Sequence, residues 1–433
     1  MPPDQMPARS SFRTPAIAPT AAAVPVPPIP ACRAWAARYA GGHGAPLDLT
    51  QAVPGWPPHP RMLEELARMA GDPASATYGL LEGEAALREV LAEDMRLSYG
   101  GDAGADDLRI TAGANIGFNL AMTVAAAPGD EVLLPTPWFF NHEMALALRG
   151  VRAAPLPCRA VDGFLPDPER AASLVGPRTR AIVLVSPNNP TGAVMPPELI
   201  GRFADLCRER GLWLVLDETY RDFLPEGQDT PHGLFRRPDW RDFVVQLYSF
   251  SKAYCIPGHR VGAVCAGPAF RAEFVKAVDN IQICPPRPPQ RALVWAVPAL
   301  REWRQGNRER IAARAASFKR VFAAGAPEWR IDAMGAYFAW VRVPDAAPDS
   351  AAAAERLAAE RGVVSLPGGV FGPGGERHIR IAFANTDEAA IAEVPKRLAG
   401  LFPRPAPRAA GTRADEAPAA AQPAPERVPG RSP

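Results

Sequence analysis

No apolar run in this 433-residue chain approaches the ~20 residues that a helix needs to span a bilayer. Charge of one sign is also missing: 48 Lys and Arg stand against 46 Asp and Glu, for a formal net charge of +2. With no basic stripe and no interleaved aromatic patch, nothing in the chain would attract nucleic acid. The six cysteines (Cys32, Cys158, Cys207, Cys255, Cys265, Cys284) include no C-x-x-C pair, so neither a disulfide framework nor a zinc site is indicated. The six histidines fall at no metal-ligand spacing, and no metal is expected. These absences leave a cytoplasmic protein with small-molecule partners, neither nucleic acid nor membrane, as the expectation.

What is present is a large apolar fraction, 47% of residues, in a chain long enough for two domains and a sizeable core. Residues 1–30 hold nine prolines and few large apolar side chains, and residues 403–433 are similar in character. Neither stretch offers enough apolar surface to offset the entropy of ordering, so both are expected to be disordered. Prolines interrupt the mildly apolar residues 16–26, which argues against a secretory leader.

Between these tails, helical and short apolar segments alternate, the pattern of an α/β fold with a mostly parallel sheet. Residues 84–99 read as an amphipathic helix with Leu87, Val90, Leu91 and Met95 on one face. Strands are expected at 108–111, 131–134, 180–185, 212–216, 243–248 and 260–266, with a helix running from Gly113 to Ala127. After about residue 298 long helices dominate, with strands at 337–343 and 377–383. The expected division is a large domain over 71–297 and a smaller α/β domain over 298–402, which the segment 31–70 joins.

The densest chemistry lies in Ser249-Phe-Ser-Lys252-Ala-Tyr-Cys-Ile-Pro-Gly-His-Arg260-Val-Gly262. Most lysines are exposed, but Lys252 follows an apolar run (Phe243, Val244, Val245, Leu247) that places it at the mouth of a buried strand. Desolvation there lowers an amine's pKa. Ser249 and Arg260 can clamp a phosphate beside the Lys252 amine, an arrangement suited to an aldehyde cofactor that carries one. Asp217 ends the apolar run 212–216; such aspartates usually serve turns and caps, yet this one could face a cofactor ring. Thr111-Ala-Gly-Ala114-Asn115 opens a helix, whose free N–H groups and dipole favour a phosphate.

Taken together, these pieces resemble the class I/II aminotransferases of fold-type I, which depend on pyridoxal 5'-phosphate. Ser186-Pro-Asn-Asn189-Pro-Thr-Gly192 is similar to the family's asparagine loop, Asp217-Glu-Thr-Tyr220 to its aspartate strand end, and His378-Ile-Arg380 to its arginine strand. The pieces occur in the family's order, and the resemblance spans about residues 48–401. It implies a large domain with a mostly parallel seven-stranded sheet between helices, plus the smaller α/β domain. It also implies a Schiff base on Lys252, with Asp217 facing the ring nitrogen and Tyr220 and Asn189 at the phenolic oxygen. Ala114, Asn115, Ser249 and Arg260 would bind the phosphate, and Trp138 would stack on the ring; Phe139 is an alternative register for that aromatic. Tyr78 resembles the tyrosine that reaches the neighbouring subunit's phosphate, which would make the protein a homodimer with shared sites. Arg380 would pair with the substrate α-carboxylate. Ala52 stands where the family's N-terminal loop has a glycine near the substrate, so it is carried as a substrate-side residue. Arg287 and Arg291 are candidates for a second substrate arginine.

The resulting expectation is transfer of the amino group of an L-amino acid to a 2-oxo acid. A lyase, cyclase or oxidative deaminase would use the same cofactor residues. A cofactor-sensing regulator would need a DNA-binding domain ahead of this region, which thirty proline-rich residues cannot form.

Overall fold

In the computed structural model the described residues run from 15 to 403. Seven segments form the central sheet: β1 (Leu108–Thr111), β2 (Glu131–Thr136), β3 (Arg152–Pro157), β4 (Thr179–Val185), β5 (Trp213–Asp217), β6 (Val244–Ser249) and β7 (Gly262–Ala266). Their order is β1-β7-β6-β5-β4-β2-β3. β7 runs antiparallel to both of its neighbours and every other pair is parallel.

Alternation divides these strands between two buried faces. Val183, Val215, Val245 and Leu247 pack with Phe118 and Phe274 of helices Ala114–Ala125 and Pro268–Ile281. Ile182, Leu184, Leu214 and Leu216 face the opposite side, onto Leu91 and Phe203 of helices Ala85–Tyr99 and Pro197–Arg210. Burial on both faces is why these strands read as continuous apolar runs. The chain leaves β2 for β3 on one side and returns to β4 on the other, so the order reverses between β2 and β4. In such sheets a crevice opens outside the strands' C-terminal ends at that point.

A second, antiparallel sheet has the order β10-β11-β9-β8, formed by β8 (Arg330–Gly335), β9 (Phe338–Arg342), β10 (Leu366–Pro367) and β11 (His378–Ala382). Arg380 lies mid-ladder, between Trp340 and Leu366. The short segment Leu47–Asp48 pairs in parallel with Val363–Val364. Among the described residues no helix is long and apolar enough to cross a membrane.

Several expectations are corrected. Disorder over 1–30 does not hold where that stretch is described: Pro19–Ala22 and Pro28–Ala36 are helical. Both helices carry proline at the first position, where a missing N–H costs nothing. Pro28 and Cys32 are buried, and Ile29 packs into a cluster with Phe140, Trp340 and Phe371. Residues 1–14 and 404–433 lie outside the described residues. The segment 31–70 does not act as one unit, because helix Pro60–Ala70 packs on helix Arg287–Ala299 and adds Met62, Leu66 and Met69 to the central core. β3, with the proline-containing sequence RAAPLP, was not expected as a strand; it lies at the sheet edge, where proline can be tolerated. β7 begins at Gly262, not at residue 260, because Arg260 adopts a left-handed φ of 53°.

Candidate active site

The C-terminal ends of β2, β4, β5 and β6 open onto a cavity of about 320 Å³, closed from the opposite side by Arg380 and by the loop Thr50–Val53. Lys252 enters from helix Phe250–Ala253, which continues directly from β6; the Ser249 hydroxyl caps it by accepting from the Ser251 N–H at 3.2 Å. The Lys252 ammonium donates to the Ala52 carbonyl at 2.5 Å. Removal from water lowers its pKa to about 8, and the charges of Arg380 and Arg260 push the same way. Desolvation therefore acts on this lysine as its position after an apolar strand suggests.

Asp217 ends β5 and is 6% exposed. Burial pushes its pKa up, but His142 and Thr219 outweigh that effect and hold the carboxyl below its ordinary value. His142 Nε2 lies 3.1 Å from Asp217 Oδ2, and Thr219 donates to Oδ1 from its N–H at 3.0 Å and its hydroxyl at 2.7 Å. The His142 ring is stacked on Phe118, with centroids 3.9 Å apart. A carboxylate so held is anionic and fixed in direction, which suits a partner that must stay protonated.

Arg380 is 3% exposed, and among the described residues no carboxylate lies within ion-pairing distance. It donates to Asn189 Oδ1 at 2.9 Å and to the Thr50 carbonyl, while its Nε has no partner. Burial lowers its pKa to about 10. A buried guanidinium without a counter-ion is costly and favours an incoming anion, and its fork matches a carboxylate. Tyr220 shares this wall; burial raises its hydroxyl pKa, against the opposing pull of Arg380.

The opposite end of the cavity is an anion cradle. Gly113 has φ 90°, a conformation that favours glycine, and a Cβ there would press on the Arg260 guanidinium. Gly113 precedes helix Ala114–Ala125, whose first N–H groups at Ala114 and Asn115 line the cavity beside Ser249, Ser251 and Arg260. Backbone N–H groups, two hydroxyls and a guanidinium fit a phosphate monoester. Lys252 shares the cavity with this cradle, so the residues present fit a phosphorylated aldehyde.

The structure thus brings Ala52, Ala114, Asn115, Asn189, Asp217, Tyr220, Ser249, Lys252, Arg260 and Arg380 to one cavity. Of the other two expected residues, one lies elsewhere, and Tyr78 was expected at the neighbouring subunit's phosphate. Trp138 does not line it: its indole lies against Gly372 and its backbone N–H donates to the Phe371 carbonyl, and Phe139 occupies the wall instead. Three consecutive aromatics before a helix that begins at Phe140 carry no periodicity from which to choose the register. Tyr78 is 79% exposed and outside the cavity wall. Five residues were missed, among them Thr219, which donates to Asp217. Ser251 sits in plain view within the lysine motif. His142, Ile29 and the Thr50 carbonyl carry no local signal.

The family profile for aminotransferase class I and II matches residues 44–398. An aromatic aminotransferase of Arabidopsis thaliana is 30% identical over 360 residues, covering 82% of this chain and 89% of that protein. The aspartate/prephenate aminotransferase of Thermus thermophilus is 30% identical over 351 residues, covering 79% and 88%. A solved structure of Thermus thermophilus aspartate aminotransferase, a double mutant, superposes with a TM-score of 0.82 at 26% identity, covering 90% of this chain and all of that one.

Proposed function

The chain belongs to the class I and II aminotransferases and is a pyridoxal-phosphate-dependent enzyme of amino-group transfer, and from that premise we propose a role for each residue of the cavity. The observation that carries the proposal is a partly desolvated lysine and a buried arginine without a carboxylate partner, facing one cavity with a phosphate cradle.

Bound pyridoxal phosphate supplies an electron sink for the bond that breaks at the substrate α-carbon. Ala114 and Asn115 N–H groups, Ser249, Ser251 and Arg260 hold its phosphate. Asp217, oriented by His142 and Thr219, keeps the ring nitrogen protonated. Asn189 and Tyr220 contact the ring hydroxyl, and Phe139 covers the ring face. Lys252 is the amine that would anchor the aldehyde carbon, and its Nζ would take up the substrate α-proton as base and return it as acid. Its depressed pKa brings the amine's titration close to physiological pH, as a group that serves as base and then acid requires. Arg380 binds the α-carboxylate and so fixes which bond faces the ring.

We place the enzyme in the cytoplasm as a homodimer, in which Tyr78 of each chain reaches the partner's phosphate. Its exposure, next to an exposed Leu80, supports that reading. The domain division follows the two sheets, with residues 60–70 assigned to the large domain.

The experiment is to mix purified holoenzyme with an amino acid and a 2-oxo acid and to quantify all four species. One new amino acid per 2-oxo acid formed, with no free ammonia, supports transfer. Ammonia or an eliminated fragment would replace it with a lyase or deaminase.

A further inference from the structure

The cavity wall holds three cationic side chains, Lys252, Arg260 and Arg380, and one carboxylate, Asp217. On the assignment above, which this inference rests on, all four are committed to cofactor and α-carboxylate. Asp217 is in addition already engaged by His142 and Thr219. The two arginines that offered themselves for a second substrate anion, Arg287 and Arg291, do not line the cavity. Arg287 donates to Glu84 at 2.6 Å, and Arg291 pairs with Asp72 at 2.7 Å. Though distant in sequence, they reach Thr77 and Ser75, close to Tyr78, so even at a shared site each would arrive with its own carboxylate.

What remains of the wall is uncharged. Ile29, Val53 and Phe140 are apolar, and Gln51 and Asn141 are neutral amides. Among the described residues of this chain, an acidic substrate side chain would meet no free cation on the wall, and a basic one no free carboxylate. Enclosing an unpaired charge is penalised heavily. An apolar side chain instead meets Ile29 and Phe140, which belong to one apolar cluster with Phe371. Ile29 is held at the cavity by helix Pro28–Ala36, whose Pro28 and Cys32 are buried.

We infer that this enzyme takes amino acids with uncharged, apolar side chains, and that Ile29 is a residue that sets this specificity. A lysine at position 29 would put a cation on the same wall and admit an acidic side chain.

The test uses the holoenzyme in single turnovers with leucine, phenylalanine, aspartate, glutamate and arginine, followed by the visible absorbance of the bound cofactor. Calorimetry with hydrocinnamate and maleate, unreactive stand-ins for an apolar and an acidic substrate, gives a second readout. Leucine or phenylalanine should exceed aspartate and arginine in kcat/KM by about 100-fold, the scale of one unpaired charge in an enclosed site. Ile29→Lys should shift the leucine-to-aspartate ratio at least about tenfold toward aspartate and tighten maleate, while Ile29→Val keeps the original order. Preference of the unmodified enzyme for aspartate, glutamate or arginine would overturn the inference. So would an unchanged ratio in an Ile29→Lys protein that retains the cofactor absorbance. If no donor reacts although cofactor is bound, the assignment of the site itself fails, a different result from a wrong preference.

Discussion

In the cofactor-free protein, replacing Lys252 by methionine should raise stability at neutral pH. The folded protein holds this amine's pKa down to about 8 from its ordinary 10.5, first by burial and then through Arg380 and Arg260. At ~1.36 kcal/mol per unit, that drop is roughly 3.4 kcal/mol by which folding disfavours the ammonium. Methionine forfeits the hydrogen bond to the Ala52 carbonyl, about 1 kcal/mol. The side chain is only partly buried, so water screens part of the electrostatic effect. A net gain of about 1–2 kcal/mol is expected at pH 7. The sign reverses the usual lysine case: with the folded value below the unfolded one, the unfolded chain binds more protons between pH 8 and 10.5, and wild-type stability climbs across that window. The variant's advantage should therefore narrow as pH rises from 7 to 9.5. Urea unfolding of both cofactor-free proteins at the two pH values measures it. A variant no more stable than wild type at pH 7, or a gap that does not narrow, would refute the account of a desolvated amine.

Arg380→Lys should raise KM for every amino acid donor by about 10- to 150-fold, matching ~1.5–3 kcal/mol for a charged hydrogen bond, with the cofactor absorbance unchanged; equal KM values would remove Arg380 from the substrate carboxylate. Asp94 accepts from Arg221 at 2.7 Å and Arg304 at 2.6 Å in a buried cluster behind the Asp217–Asp222 turn. Asp94→Asn should cost about 3–5 kcal/mol in urea unfolding, because it leaves a buried guanidinium short of an anion; a cost below about 1 kcal/mol would mean that water reaches the cluster. Mixing a Lys252→Ala chain with a Tyr78→Ala chain should restore partial activity, since one site of the heterodimer keeps both residues. Heterodimers without activity would confine each site to a single chain.

Much of the site was legible because its residues sit where local chain chemistry is strongest. Lys252, Asp217 and Asn189 each follow an apolar strand buried on both faces, and such strands announce their ends in any single segment. Gly113 marks a helix start at φ 90°, a conformation that favours glycine. The motifs in their order also carried the family, and with it the cofactor.

Other features were decided only by the folded chain. His142 meets Asp217 because β2 and β5 flank β4 in the sheet, and no spacing of 75 residues encodes that meeting. Phe139, not Trp138, lines the cavity because the backbone turns into a helix at Phe140, which sets the direction of each neighbouring side chain. Ile29 lies in a proline-rich stretch whose composition predicts disorder, and it is ordered by contacts with residues more than a hundred positions away, Phe140 and Phe371. The charge inventory of the substrate wall is likewise a tertiary fact: Arg287 and Arg291 look available in the sequence and are paired in space with Glu84 and Asp72. Sequence determines the backbone preferences and burial period of each segment, and its motifs, by their resemblance to a family, carry the cofactor. Which distant side chains share a cavity, and which charges in it remain free for a substrate, is determined only when the sheets and helices pack.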